Sequence, residues 1–229
     1  GLKCAIVNPF IYPDVALIDP QILVSKPPKL TALTAVDTFC HALEAYISIH
    51  CTPWVEMVAL QAIRLFAANA QRCVEHGTDL DARANMAFAS TLGGMAIAGA
   101  GVTVSHALGQ PLGAMTDAPH GGTVAASTPH VIRWTLPVAA EKFATVAGIL
   151  RPETLGLSIS DRAERLPVIL EQLFTALGVT DTFHSYGLRP EQVDEFAHTV
   201  WTSFNQDLAC HPKQINNQEE VAAIVRMCF

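Results

Sequence analysis

The chain has 229 residues, 50% of them hydrophobic, which is enough apolar material for one well-packed domain or slightly more. Its formal net charge of −7, with no basic run, argues against a nucleic-acid partner. The six cysteines are scattered without a C-x-x-C pair, and the sequence opens without a signal-peptide pattern. Both features indicate reduced thiols and a cytoplasmic protein.

Two short strand-like runs open the chain, at residues 3–7 (KCAIV) and 15–19 (VALID), and prolines lie between them. A Lys-Pro-Pro-Lys linker at residues 26–29 follows. From there, apolar residues recur at helical spacing nearly to the end of the chain. The predicted helices cover residues 31–50, 53–77, 79–100, a short segment through His106 ending between 109 and 111, 120–133, 137–150, 160–177 with an interruption near Pro167, 190–205 and 218–228.

This pattern predicts a mainly α fold with two parts. Residues 31–229 form a helical domain, and residues 1–30 are a strand-and-loop segment in front of it. Two short strands do not make a stable sheet alone. The first thirty residues therefore look orphaned.

A long uncharged run raises the question of a membrane span. Residues 85–116 contain no Asp, Glu, Lys or Arg, which is long enough to cross a bilayer. The run is, however, rich in Gly, Ala, Ser and Thr, and it contains His106 and Pro111. A helix buried inside a helical domain explains it better than a transmembrane helix.

Four residues suggest a metal site. Asp37 and His41 are four apart on a predicted helix, so both side chains leave the same face one turn apart. His106 lies in VSHALGQPLG, and His120 lies in APHGG, where loop residues lead into a helix start. One carboxylate and three imidazoles suit Fe(II), Zn(II), Co(II) or Ni(II) rather than Ca(II) or Mg(II). Spacing alone leaves open whether the three segments meet, and each residue could instead be an ordinary core or surface group.

These motifs resemble the iron-containing (group III) alcohol dehydrogenase family. Its members carry D-x-x-x-H, then H-x-x-x-H-P-L-G about 65 residues later, then P-H-G about 14 residues further. Here DTFCH ends at His41, HALGQPLG begins at His106, and PHG contains His120, at intervals of 65 and 14 residues. The runs ALIDP, LTALTAVD, HALEAY and DLDARANMAFAS add to the resemblance, which covers about residues 3–148 and weakens beyond.

The resemblance implies the helical metal-binding domain of the dehydroquinate synthase-like fold. It also implies hydride transfer between a small alcohol or aldehyde and NAD or NADP, with Fe(II) or Zn(II) held by Asp37, His41, His106 and His120. In the family, the segment matching residues 1–30 belongs to an N-terminal α/β domain that holds the cofactor, so the resemblance implies that these residues are its remnant. No glycine-rich phosphate loop of that domain occurs in the sequence, so we expect most of that domain to be absent from this chain. A homo-oligomer, such as a dimer, is expected.

Further positions carry over from the family residue by residue. Gln110 stands where members usually have a histidine near the nicotinamide, and glutamine does not titrate near neutral pH. The resemblance places Lys3 and Leu30 near the cofactor and Ile97 in the substrate cleft. Ordinary core packing is the alternative for Leu30 and Ile97.

Two other functions remain open at this stage. One is a metal-binding helical domain without catalytic activity, because the cofactor loop is missing. The other is an enzyme similar to maleylacetate reductases, which resemble this family but tend to lack the aspartate that stands here as Asp37.

Overall fold

The computed structural model describes residues 8–229, and this part of the chain contains helices and no strand. The mainly α fold is therefore confirmed. The α-helices are α1 (Pro20–Leu23), α2 (Pro28–Ile47), α3 (Pro53–Glu75), α4 (Leu80–Ala100), α5 (Val104–Thr116), α6 (His120–Leu150), α7 (Ile159–Ala176), α8 (Val193–Ser203), α9 (Asn205–Ala209) and α10 (Gln218–Arg226), and short 3-10 helices cover Pro9–Ile11, Pro152–Gly156 and Pro190–Gln192.

Helix α2 is the central element of the larger core. It packs against α3, α4 and α6, and most of its residues are buried. Phe39 is fully buried, and its ring centroid lies 5.1 Å from that of Phe66 on α3 and 6.2 Å from that of Phe174 on α7. A helix that is apolar on nearly every face is stable only when other helices surround it. The polar residues that α2 does carry are thereby held in fixed positions.

A second core joins α5 to the C-terminal helices. Val104, Leu108 and Leu112 of α5 are fully buried in one cluster with Phe196 of α8 and Val225 of α10. Helix α6 contributes to both cores, because the neighbouring residues Val131 and Ile132 face opposite sides. The start of α5 is thus anchored between two packed layers.

Prolines affect two of the predicted helices. We predicted that the helix through His106 ends by Pro111, but α5 continues to Thr116 with Pro111 inside it. We also predicted separate helices at residues 120–133 and 137–150, and α6 does consist of two helical segments, which meet at a kink at Ala139 (φ −133°, ψ 21°). Proline removes one backbone hydrogen bond and bends a helix, and Pro137 lies two residues before this kink. In α5, packing within the second core holds the helix together across its proline.

The N-terminal segment differs from its prediction. Residues 15–19 do not form a strand, and the side chains of Val15 and Leu17 are 83% and 93% exposed. An extended segment becomes a strand only when a neighbouring strand accepts and donates its backbone hydrogen bonds. The strand predicted at residues 3–7 lies outside the described residues.

Within residues 8–229, no single helix is both long enough and apolar enough to cross a membrane. The pair α4 and α5 reaches such a length only when taken together, and the two helices are bent by 107° at the break between them.

Substitution of Gly121 should test how closely α6 must approach α2. A Cβ at Gly121 would lie 2.3 Å from the backbone oxygen of Leu33 on α2, a distance that requires the two helices to separate. We expect Gly121→Ala to lower the melting temperature through a loss of about 1–3 kcal/mol, measured by circular dichroism.

Gly94→Ala is the matched control, because a Cβ at Gly94 in α4 meets nothing within 4 Å. Alanine favours a helix interior by about 1 kcal/mol over glycine, so this variant should melt at the same temperature or higher. Equal melting of Gly121→Ala and the native chain would contradict the close approach of the two helices.

Candidate metal centre

One face of α2 carries three ionisable side chains in consecutive turns. Asp37, His41 and Glu44 are spaced i, i+4 and i+7, so they point to the same side of the helix. The side chains of Asp37 and His41 remain 21% and 23% exposed, whereas that of Glu44 is only 2% exposed. The first two residues therefore lie at the mouth of the site and Glu44 lies beneath it.

Helices α5 and α6 bring two histidines to this face. His106 lies in the first turn of α5 and is buried, and His120 is the first residue of α6 and is partly exposed. Asp117 ends α5 in the left-handed conformation (φ 57°), which turns the chain back within three residues. The ring centroid of His106 lies 4.4 Å from that of His41 and 5.3 Å from that of His120.

The four residues predicted from the sequence thus converge at one point. One ligand atom from each of Asp37, His41, His106 and His120 lies within 4.8 Å of the others. Asp37 Oδ1 is 3.6 Å from His106 Nε2 and 3.7 Å from His120 Nε2, and Asp37 Oδ2 is 3.8 Å from His41 Nδ1. These distances exceed normal hydrogen bonds. They are close to the roughly 3.4 Å that separates two ligands each about 2.1 Å from a tetrahedral metal ion.

Buried polar atoms at this point also fit a cation. Asp37 Oδ1 and His106 Nε2 are buried, and neither has a hydrogen-bond partner among the described residues. Buried polar atoms are normally hydrogen-bonded, so atoms left without a partner need an explanation. A metal ion bound between them would supply the missing interaction.

Glu44 holds the start of α5 in place. Its Oε1 accepts hydrogen bonds from the hydroxyl of Thr103 (2.7 Å), the backbone N–H of Ser105 (2.7 Å) and the backbone N–H of His106 (3.4 Å). The first backbone N–H groups of a helix have no partner within the helix, and Thr103 provides no side-chain cap here. The Glu44 carboxylate on α2 therefore caps α5, and its negative charge interacts favourably with the positive end of the α5 helix dipole.

The other oxygen of Glu44 contacts the His106 ring, where Oε2 pairs with Nδ1. Burial favours the protonated carboxyl, but His106, Thr103 and Ser105 stabilise the anion and lower the Glu44 pKa. A carboxylate only accepts hydrogen bonds, so the His106 proton must be on Nδ1. Nε2 is then left to face the centre, as in metal sites where a carboxylate orients a histidine ligand.

The charges around the centre favour a bound cation. Burial opposes a charged imidazole, but the carboxylates of Glu44 and Asp37 outweigh it and raise the pKa of His106 to about 9. Burial, helped by His106, lowers the pKa of His41 to about 4, so this imidazole is neutral at pH 7. Burial opposes ionisation of Asp37, but the histidines lower its pKa. The negative carboxylates of Asp37 and Glu44 thus lie beside the imidazoles. A metal cation would replace the His106 proton as the positive charge that balances them.

The remaining predicted site residues lie in different surroundings. Gln110 is partly buried one turn after His106 on α5. Ile97 on α4 is partly buried against the larger core, and Leu30 in the first turn of α2 is 46% exposed. Core packing therefore does not account for Leu30. Lys3 lies outside the described residues.

Glu44 is a residue of this site that we did not predict from the sequence. A signal for it was nevertheless present, because Glu44 lies seven residues after Asp37 and three after His41, on the same helix face. Only the fold shows that its oxygens meet the start of α5 rather than solvent.

Replacing Glu44 should therefore weaken metal binding without removing a ligand. In Glu44→Gln one amide oxygen cannot serve both His106 and the start of α5, and the NH2 group would face other donors. We expect about 10–100-fold weaker binding of Co(II), the range found when groups that orient metal ligands are changed. Titration of the metal-free chain, followed by visible absorption, measures this.

Glu56→Gln on the exposed side of α3 is the control, because it makes the same change in charge at a distance from the site. It should bind Co(II) as the native chain does. Native affinity in Glu44→Gln, with the fold intact by circular dichroism, would show that Glu44 does not orient His106.

Comparison with known proteins agrees with this geometry. Residues 31–229 match the model described as the Fe-containing alcohol dehydrogenase family, C-terminal. The 1,3-propanediol dehydrogenase of Klebsiella pneumoniae is 36% identical over 228 residues, which is 100% of this chain and 58% of that protein. The NAD-dependent methanol dehydrogenase of Bacillus methanolicus is 32% identical over 87% of this chain and 52% of that protein.

The fold agrees as well. A crystal structure of a 1,3-propanediol oxidoreductase superposes with a TM-score of 0.87 at 36% identity, covering 92% of this chain and 55% of that one. The chain therefore spans little more than half the length of the relatives that it matches. With the family model covering residues 31–229, this chain belongs to the iron-containing alcohol dehydrogenase family.

Proposed function

We propose that these residues form the metal-binding part of an alcohol dehydrogenase that transfers hydride between a small alcohol or aldehyde and NAD or NADP. The observation that carries this proposal is the convergence of Asp37, His41, His106 and His120 within 4.8 Å, in a member of the iron-containing family. The relatives named for 1,3-propanediol and methanol support a short alcohol as the substrate.

The ligand set supports Fe(II) or Zn(II) as the resident metal. When bound, such an ion polarises the alcohol or carbonyl oxygen and favours the alkoxide form of the substrate. The chain's own contribution is to position the ligands: α2 supplies Asp37 and His41, and Glu44 fixes the tautomer of His106. A metal ion that accepts a fifth ligand would leave room for a substrate oxygen beside four protein ligands.

Gln110 and Ile97 are our proposed cleft residues. Gln110 follows His106 by one turn, so it lies next to the metal centre. Its amide can orient a substrate by hydrogen bonds, but it cannot take up a proton near neutral pH. We propose that the substrate proton leaves through another group or through water. Ile97 would line the apolar side of the cleft.

The cofactor would be held mainly by a second domain. We propose a division into residues 1–30, which belong with an α/β cofactor domain, and residues 31–229, the helical domain. Leu30 is exposed at the boundary, and Phe10, Leu17 and Ile22 are 93%, 93% and 70% exposed. Such apolar surface fits a contact with another domain. Lys3 would approach the cofactor, in a cytoplasmic homo-oligomer.

The alternatives differ in their use of the metal. A maleylacetate-reductase-like enzyme would not need Asp37. In this chain, however, Asp37 Oδ1 lies within 3.7 Å of the Nε2 atoms of two histidines, His106 and His120. A metal-binding domain without activity would have the same centre, and only an activity measurement separates it from a dehydrogenase.

Metal binding by the chain alone should stabilise it strongly. A ligand at about 1,000 times its dissociation constant adds about 4 kcal/mol to the folded state. We expect Fe(II), supplied without oxygen, or Zn(II) to raise the melting temperature, and a chelator to reverse the rise. Asp37→Ala should abolish it, whereas the exposed Asp81→Ala should not. Equal responses in both variants would place the metal elsewhere.

A separate prediction concerns cofactor binding by this chain. The chain alone should not bind NAD or NADP at micromolar concentrations, because dinucleotide binding relies on N–H groups at a glycine-rich turn. Micromolar affinity needs about −8 kcal/mol, and an exposed cation such as Lys3 adds about 0–1 kcal/mol. Calorimetry with the metal-loaded chain measures it. A low-micromolar dissociation constant would reveal a cofactor site within these residues.

A fusion tests the activity itself. The preceding part of the Klebsiella pneumoniae 1,3-propanediol dehydrogenase, joined in front of residue 31, supplies a cofactor domain. With iron, this fusion should form NADH from short alcohols, and the same fusion carrying Asp37→Ala should not. A folded, iron-loaded fusion that oxidises no alcohol would favour the metal-binding domain without activity.

A further inference from the structure

A second cluster of charged groups lies on the adjacent face of α2. A cavity of about 260 Å³ opens between the N-terminal segment, α2 and α4. Thr38, on its wall, follows Asp37 in sequence and so points about 100° away from it around the helix. The cavity is therefore distinct from the metal centre. Its polar lining includes Lys26, Thr31, Thr34 and Arg83.

The guanidinium of Arg83 is buried here without an acidic partner. Arg83 is 3% exposed, and it donates to the backbone oxygens of Gly77 (2.9 Å) and Lys26 (3.1 Å) and to the hydroxyl of Thr31 (2.8 Å). All three acceptors are neutral. No carboxylate in residues 8–229 lies within 4.0 Å of Arg83, and Asp79 at the same end of α4 is bound by Arg72 at 2.5 Å.

A second cation faces the same space. Lys26 is partly buried, and its Nζ donates to the hydroxyl of Thr34 at 2.5 Å. An ammonium group has three N–H donors, so two remain. Burial and, after it, the nearby charge of Arg83 lower the pKa of Lys26. Neither Lys26 nor Arg83 forms an ion pair within the part of the chain that the structure describes.

This arrangement is unfavourable unless an anion joins it. A buried charge that lacks an oppositely charged partner is destabilising, and two like charges side by side repel. The cavity walls contain no carboxylate, although the whole chain carries a net charge of −7. An anion between Lys26 and Arg83 would compensate both charges and form charge-assisted hydrogen bonds.

We propose that this cavity binds a phosphate group. Its volume of about 260 Å³ far exceeds the roughly 10–15 Å³ that one water molecule needs. A phosphate beside Lys26 would accept hydrogen bonds from the ammonium donors that Thr34 leaves free, with the charge of Arg83, which contacts the Lys26 backbone, close by. The phosphate could be free or part of a small metabolite, and these sources share the same recognition chemistry.

Calorimetry with inorganic phosphate on the metal-free, full 229-residue chain tests the site without involving the metal centre. We expect one phosphate per chain, and Lys26→Met should bind it at least about tenfold more weakly. Lys29→Met is the matched control, since Lys29 is exposed on the first turn of α2 and does not line the cavity. It should bind phosphate as the native chain does.

Thr34→Val is a second variant, because it removes the hydroxyl that holds the Lys26 ammonium while keeping the side-chain shape. It should also weaken phosphate binding, with circular dichroism confirming the fold. Arg83 is left unchanged, since its three hydrogen bonds join the N-terminal segment to α2 and α4.

Pyrophosphate and a phosphomonoester, run in parallel, distinguish the sources. Tighter binding of either one, lost in Lys26→Met, supports the site and identifies its ligand as an esterified or condensed phosphate. Acetate should not compete. Phosphate binding that is equal in Lys26→Met and Lys29→Met, or no binding of any phosphate by the native chain, would overturn the proposal.

Discussion

The contact between the Glu44 carboxylate and the start of α5 is the interaction on which the metal centre depends. One oxygen caps the helix through Ser105 and the other fixes the ring of His106. Because the carboxylate is buried, its hydrogen bonds are protected from competition with water. The position of α5 relative to α2 and the orientation of one ligand are therefore set by the same side chain.

Helix α2 is buried on nearly all sides, and this gives its few polar residues unusual importance. One face presents Asp37 and His41 to the histidines of α5 and α6, and the adjacent face presents the hydroxyls of Thr31 and Thr34 to Arg83 and Lys26. A flexible helix could not hold both arrangements, because each requires side chains to remain within a few ångströms of groups on other helices. The dense packing of Phe39 and its neighbours supplies that rigidity.

The metal centre and the neighbouring cavity both contain buried groups whose interactions are incomplete within the protein itself. Asp37 Oδ1 and His106 Nε2 are buried without hydrogen bonds in the described part of the chain, and Arg83 is a buried cation without an acid. Each of these lowers the stability of the free chain. Binding sites commonly contain groups that destabilise the unliganded protein, because the bound ligand supplies their missing partner. Phe10, Leu17 and Ile22 are likewise exposed apolar side chains, as our proposal of a second domain against them requires.

The sequence by itself determined the helical fold and the order of the helices, and its resemblance to the family pointed to the four residues that converge. Helical periodicity and the i, i+4 pair are local features, so residues a few positions apart reveal them. Tertiary structure alone decided that the three segments meet and that α5 continues past Pro111, because packing outweighs one lost hydrogen bond. It also decided that residues 15–19 form no strand and that Glu44 meets α5. Such outcomes depend on groups distant in sequence, and only the folded chain brings those groups together.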